Sequence, residues 1–197
     1  PPPPHLPAPP RSPPPADHLN IPVTDCRLIN ARTARAEVVK DGGDDPDATH
    51  GMVIAAEVSL FTGARPCEII ICGGEGIGRA TLPGLPLPVG AWAINPAPKS
   101  QIRGALSALA EKYGYRGGFY VRVLAPEGEK RARHTLNARL GILGGISILG
   151  TSGRVKPYSH AAWEEVIRQG AALAKARGLA ALGLSTGGRS ERLLMAA

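Results

Sequence analysis

Aromatic residues are scarce: 4% of 197 positions, two of them Phe, two Trp and four Tyr. Any core must therefore be aliphatic and alanine-rich, which the 43% hydrophobic content can supply. The scarcity also argues against a stacking platform for single-stranded nucleic acid. The densest basic run, residues 130–134 (KRARH), has no aromatic residue interleaved and reads as the solvated face of a short helix. Cysteine is sparse as well. Cys26, Cys67 and Cys72 form neither a disulfide framework nor a CxxC metal pair, and they suit a reducing compartment. No apolar run approaches the ~20 residues of a spanning helix, and no charged n-region with an apolar h-region opens the chain. A cytoplasmic protein without membrane or nucleic-acid partners is expected. A G-x-x-x-x-G-K-[ST] loop, a G-x-S-x-G elbow and an H-E-x-x-H pair are all missing, so NTPase and hydrolase readings have no specific support.

Glycine and proline, by contrast, are plentiful, at 25 and 20 residues. Ten of the prolines fall in the first fifteen positions, and residues 1–22 read as an extended, disordered tail. The formal charge of +7 is spread over Lys and Arg along the chain and favours an anionic partner.

Beyond the tail, residues 33–39 alternate, with Ala34, Ala36 and Val38 on one face, as a half-buried strand does. Residues 52–60 (MVIAAEVSL) and 119–124 are further strands, and 68–72 (EIIIC) reads as a strand buried on both faces. Prolines every two or three positions make 82–98 an ordered loop with a short edge strand near 89–94. A helix follows. Ile102, Leu106, Leu109 and Tyr113 recur at helical spacing and Gly114 stops them; burying each would contribute ~1.5–3 kcal/mol before entropy. Residues 126–135 suggest a short helix and 159–177 an amphipathic one ended by Gly178. The apolar runs 142–149 and 179–184 read as buried strands on either side of it, and 191–195 as the start of a helix. The expected fold class is α+β: a tail (1–22), a strand-rich α+β domain (23–144), and a partial α/β domain (145–197) of βαβ, Rossmann-like type.

Three places could carry chemistry. Asp44, Asp45, Asp47 and His50 lie within seven positions. They could hold a divalent ion, do acid–base work, grip a ligand nitrogen, or form a turn in which Asp side chains bond their own backbone. EF-hand spacing is absent, and proton or ligand contact is the role assigned here, with no metal. The run GGEGIG at 73–78 misses the dinucleotide spacing and precedes no helix, so it reads as a glycine loop around Glu75, close to a flat ligand. Two glycine-and-hydroxyl turns, Gly150-Thr151-Ser152-Gly153 and the one through Thr186, Gly187 and Gly188, end the apolar runs, where sheet ligands commonly bind.

Three segments then occur in order: GDDPDATHG (43–51), GEGIGRATLPGLPLPVGAWAINPAP (74–98) and TLNARLGILGGISILGTSGRVKPYS (135–159). Together they resemble the cobalt-precorrin-5B C1-methyltransferase family of anaerobic cobalamin biosynthesis. The resemblance covers nearly all of 23–195. It implies methyl transfer from S-adenosylmethionine to C1 of cobalt-precorrin-5B, a small tetrapyrrole substrate, to give cobalt-precorrin-6A. It also implies a first lobe related to domain 2 of ribosomal protein S5 and a smaller α/β lobe. On this reading Lys40, Glu75, Arg79, Asn95, Lys99 and Arg154 contact the carboxylate-bearing substrate. Gly150–Gly153 and Thr186–Gly188 contact the methyl donor, and Asp44, Asp45, Asp47 and His50 supply catalytic contacts. Members of the family open with a Thr-Thr-Gly-Thr-Cys-type motif and run well past the position of Met195, so the chain is expected to be incomplete at both ends. The competing class is an inactive fragment that at most binds a corrinoid.

Overall fold

A computed structural model describes residues 20–43, 47–62, 67–149, 160–185 and 188–196. Strands β1 (Val23–Asn30), β2 (Thr33–Val39), β3 (Val53–Phe61), β4 (Ile69–Gly73) and β6 (Gly118–Leu124) form one sheet in the order β1-β2-β3-β6-β4. The alternation read at 33–39 is realised: Ala36 pairs with Ala56 and Val58 with Val121, which puts the small and β-branched side chains on one face. Strand β1 has no comparable signature in the sequence. It pairs along β2 with two register irregularities and leaves Leu28 77% exposed.

All neighbouring pairs are antiparallel except β4 and β6, which run parallel. Parallel neighbours need a long crossover, and here it contains the short strand β5 (Arg79–Ala80) and helix α1 (Pro96–Lys112). Pro96 at the first helical turn and Gly114 just past the C-cap, at φ +63°, set the limits of α1. The helix lies over the sheet through Ile102, Leu106 and the buried Ala110. Leu109 and Tyr113, expected in the same row, are exposed. The contacting stripe of Ile102, Leu106 and Ala110 is centred on Leu106, and Leu109 lies roughly 60° round the helix from it, at the stripe's margin. Tyr113 sits beyond the last helical residue.

Three other expectations are corrected. The EIIIC strand is not covered on both faces: β4 is an edge strand, and Ile70 is 42% exposed beside Tyr120. An unbroken isoleucine run says that a strand is apolar, not how many layers enclose it.

The run 142–149 is not one buried strand. Its first two residues form β7 (Ile142–Leu143), antiparallel to β5, and Ile146 and Ile148 make single parallel bridges to Ile77 and Ile94. Gly144, at φ +81°, turns the chain between the two pieces.

Finally, 179–184 forms no strand. Leu179, Leu182 and Leu184 are all at least half exposed, and among the described residues no strand lies beside them to complete a ladder.

Helices α2 (Gly128–Ala132), α3 (His160–Ala176) and α4 (Gly188–Met195) complete the described elements. Gly178, at φ +67°, closes α3 as anticipated. Met52, Ile77, Ile94, Phe119, Val121, Val123 and Ile146 make the main core, and Ala80, Leu87, Ala93 and Ile142 a second. The crossover unit of this fold is therefore β4-α1-β6, earlier in the chain than the sequence pattern placed one.

Candidate functional site

In a sheet with parallel strands, ligand sites favour the carboxyl ends of those strands. Here β4 and β6 end together, with Gly73 paired to Val123. The antiparallel order brings the end of β2 and the start of β3 to the same edge of the sheet. Helix α1 also starts there. Its far end is tied to the opposite edge, where the Tyr115 hydroxyl donates to the carbonyls of Phe61 and Gly118 at 3.2 and 3.1 Å. The topology thus gathers the loops 40–52, 74–78 and 125–135 and the residues Asn95 and Lys99 at one end of the sheet.

Loop 40–52 is closed at its base by two hydrogen bonds of 2.9 Å, Lys40 N–H to the Met52 carbonyl and Gly51 N–H to the Lys40 carbonyl. Inside it, Asp47 is a hub. Its carboxylate accepts the Thr49 N–H and hydroxyl, each at 2.8 Å, and forms an ion pair with the Lys40 ammonium. The ammonium also donates to the Thr49 hydroxyl at 2.7 Å. Burial works to raise the Asp47 pKa, but the hydrogen bonds from Lys40 and Thr49, with the Lys40 charge, outweigh it and hold the carboxyl below its ordinary range. Lys40, expected to clamp substrate, pairs here with Asp47. His50 lies at the loop's end with its side chain 58% exposed. Its Nδ1 accepts the Gly42 N–H at 3.0 Å, so the neutral ring carries its proton on Nε2 and presents a donor.

Arg131 of α2 fastens this loop from outside. It donates through Nη1 to the Ala48 and His50 carbonyls at 3.1 and 3.4 Å, and through Nε and Nη2 to Glu127 at 3.2 and 3.0 Å. Sequence reading assigned the 130–134 run no role. The signal it lacked was the long-range one, since Arg131 reaches residues more than eighty positions away.

The glycine loop around Glu75 is filled by the protein itself. Cβ atoms at Gly76, Gly128 and Gly145 would run into backbone: Gly76 into the Ala125 carbonyl, the other two into the Gly76 carbonyl. A Cβ on Gly78 would meet Ile142 Cγ2 at 2.6 Å. These glycines let three chain segments touch, so that residues 125–128 and 145 pack against the loop expected to lie close to a flat ligand. Arg79 lays its guanidinium 3.6 Å from the Trp92 ring centroid and donates to the Gly90 carbonyl at 2.7 Å. The same indole packs on Gly73, where a Cβ would meet it at 2.6 Å.

Asn95 caps α1 by position without a side-chain cap bond, and its N–H donates to the Ile148 carbonyl at 2.9 Å. Lys99 lies in the first turn of that helix. Of the candidates, Lys40, Asp47, His50, Glu75, Asn95 and Lys99 thus come to one end of the sheet, with Arg79 held near it through Trp92. Gly188 opens α4 at φ +58°. Asp44, Asp45, Gly150, Thr151, Ser152, Gly153, Arg154, Thr186 and Gly187 lie outside the described residues. Among the described residues no group of three or more His, Cys, Asp or Glu is placed to share a metal ion. No helix among them is long and apolar enough to cross a membrane.

Comparison with known proteins bears on this arrangement. The family model described as CbiD matches residues 12–157, beginning inside the proline-rich segment. A relative from Nitratidesulfovibrio vulgaris (strain Hildenborough), named cobalt-precorrin-5B C(1)-methyltransferase, is 52% identical over 177 residues, 90% of this chain and 45% of its own length. One of the same name from Geobacillus kaustophilus is 53% identical over 167 residues, 85% of this chain and 44% of its own. The chain therefore spans less than half the length of these relatives. A 1.9 Å crystal structure of a cobalamin biosynthesis protein (cbiD) from Archaeoglobus fulgidus superposes with a TM-score of 0.50 at 33% identity. That superposition covers 68% of this chain and 42% of that one.

Proposed function

Since the chain belongs to the CbiD family, we propose that it serves S-adenosylmethionine-dependent methylation of C1 of cobalt-precorrin-5B, giving cobalt-precorrin-6A in anaerobic cobalamin biosynthesis. The identity of about half of all aligned residues to relatives named for that C1 methylation carries the reading. The reaction forms a carbon–methyl bond at C1 and breaks a sulfonium–methyl bond, so the protein's part is alignment and exclusion of water more than strong base catalysis. His50, with Nε2–H turned outward, suits donation to a carboxylate or carbonyl of the substrate. Lys99 and Glu75 stand at the same end of the sheet. Arg79 is spent in part on Trp92, and Asp47 with Lys40 shapes the loop that presents His50. The methyl donor is assigned to residues 150–153 and 186–188, substrate contact to Arg154 and catalytic contact to Asp44 and Asp45.

The same reading divides the protein into the tail 1–22, an α+β lobe of ribosomal S5 domain 2 type over 23–144 and a second lobe in 145–197. A cytoplasmic setting fits its three unpaired thiols. Incubation with S-adenosylmethionine and cobalt-precorrin-5B, followed by mass spectrometry, tests the proposal: a gain of one methyl group is expected. The competing reading is a chain that binds the corrinoid without turnover. Calorimetric binding without any mass gain would select it. In a complete homologue, His50→Ala that stayed folded and kept full methyl transfer would remove His50 from the site.

A further inference from the structure

Outside the residues assigned above, the sheet end holds an open cleft of about 430 Å³ lined by Ala48, Glu127, Lys130, Arg131 and His134. We propose that this cleft is a carboxylate-binding subsite in which Lys130 and His134 hold an acidic arm of the tetrapyrrole. This rests on the functional reading above and adds residues to it that the sequence pattern left as a solvated helix face.

The division of labour among the lining residues supports the assignment. Arg131 has its donors engaged, by Glu127 on one side and by the Ala48 and His50 carbonyls on the other. It is a positioning residue. It cancels the Glu127 charge and fixes the wall of the cleft formed by the loop that carries His50. Lys130, in the last turn of α2, and His134, in the turn that follows it, are both exposed and both line the cleft. The His134 N–H donates to the Arg131 carbonyl at 3.0 Å, which continues that turn.

With Arg131 and Glu127 neutralising each other, the cleft offers one ammonium and one imidazole as hydrogen-bonding groups. That matches a single carboxylate better than a polyphosphate, which gathers more cations and backbone N–H groups. The cleft adjoins His50 through the residues Arg131 ties together, so a ligand arm seated there would bring its ring over the loops at the sheet end.

The test uses this chain and uroporphyrin, a tetrapyrrole whose peripheral arms are all carboxylates, with titration calorimetry at fixed salt. Wild type is expected to bind uroporphyrin and not its methyl ester. The double variant Lys130→Ala/His134→Ala, with an unchanged circular dichroism spectrum, should bind about tenfold more weakly. Arg103→Ala, which removes one exposed charge from α1, should change affinity less than about twofold. Binding by wild type with no loss in the double variant overturns the subsite and leaves the functional reading standing. Failure of wild type to bind uroporphyrin overturns the subsite, while the functional reading stands or falls on the one-methyl mass gain. Competition by inorganic phosphate as effective as that by citrate reassigns the cleft to phosphate and overturns the carboxylate assignment.

Discussion

The side-chain amide of Asn137, itself buried, donates to the Gly145 carbonyl at 3.0 Å, and its oxygen accepts the Ser147 hydroxyl at 3.1 Å. One residue thus spans the turn between the two halves of the 142–149 run and holds the second half against residues 76–78. Asn137→Ala would leave a buried carbonyl and a hydroxyl without their partner. A loss of about 1–3 kcal/mol in urea unfolding is expected. An unchanged midpoint and slope would show that the Ile146 and Ile148 bridges hold the segment by themselves.

The mutual contact of Gly76, Gly128 and Gly145 leaves no room for a side chain. Gly145→Ala and Gly128→Ala should each destabilise the fold, toward the upper end of the ~1–3 kcal/mol typical of overpacking, because the obstructing atom is backbone and cannot swing away. Gly104 is the contrast. It lies inside α1 with open space where a Cβ would stand, so Gly104→Ala should stabilise by ~0.5–1 kcal/mol. Thermal melts of the three variants decide between these signs.

Helix α1 offers a comparison of faces. Ile102 packs on the core, and Ile102→Asp would bury a carboxylate with no partner, at a cost of about 3 kcal/mol or more. Leu109 is 47% exposed, and Leu109→Asp should stay within about 1 kcal/mol of wild type. Equal damage from both would mean that α1 is rotated from the position described.

The Asp47 carboxyl is held below its ordinary value of 3.8, so its ionised form favours the folded state. That contribution is complete above the unfolded-state value and is lost as pH falls through the folded value. Asp47→Asn should therefore lower stability at neutral pH by on the order of 1 kcal/mol, a modest figure because the Lys40 pair is partly solvated. The gap between wild type and variant should narrow as pH falls below about 4, since both then lack the charge. A gap that stays constant with pH would show that the hydrogen bonds to Thr49, and not the charge, are what matter.

Much of the fold was legible before any coordinates. Alternation marks β2 and β6, and an apolar run of strand type marks β3. Helical spacing with a glycine stop marks α1 and α3, since each signal is local and depends on which side chains share a face within a few residues. The first resembling segment holds most of the loop that carries His50 and the third holds the Asn137–Ser147 turn, so the sequence marked both places. It did not reveal their use. Lys40 looks like any exposed cation until Asp47 and Thr49 are placed around its ammonium, and Arg131 looks like part of a solvated run until it is seen to hold the His50 loop.

Chain order, composition and periodicity by themselves determined that this protein is an α+β fold with aliphatic packing, and family membership followed from its motifs. Tertiary structure alone decided which apolar runs became strands. The runs 69–73, 142–149 and 179–184 carry the same local pattern. A strand exists only where distant partners complete its hydrogen bonds, and one run found a parallel neighbour, one found bridges broken by a turn, and one found none among the described residues. The same non-locality moved the crossover unit to β4-α1-β6 and, with it, the end of the sheet where the candidate residues meet.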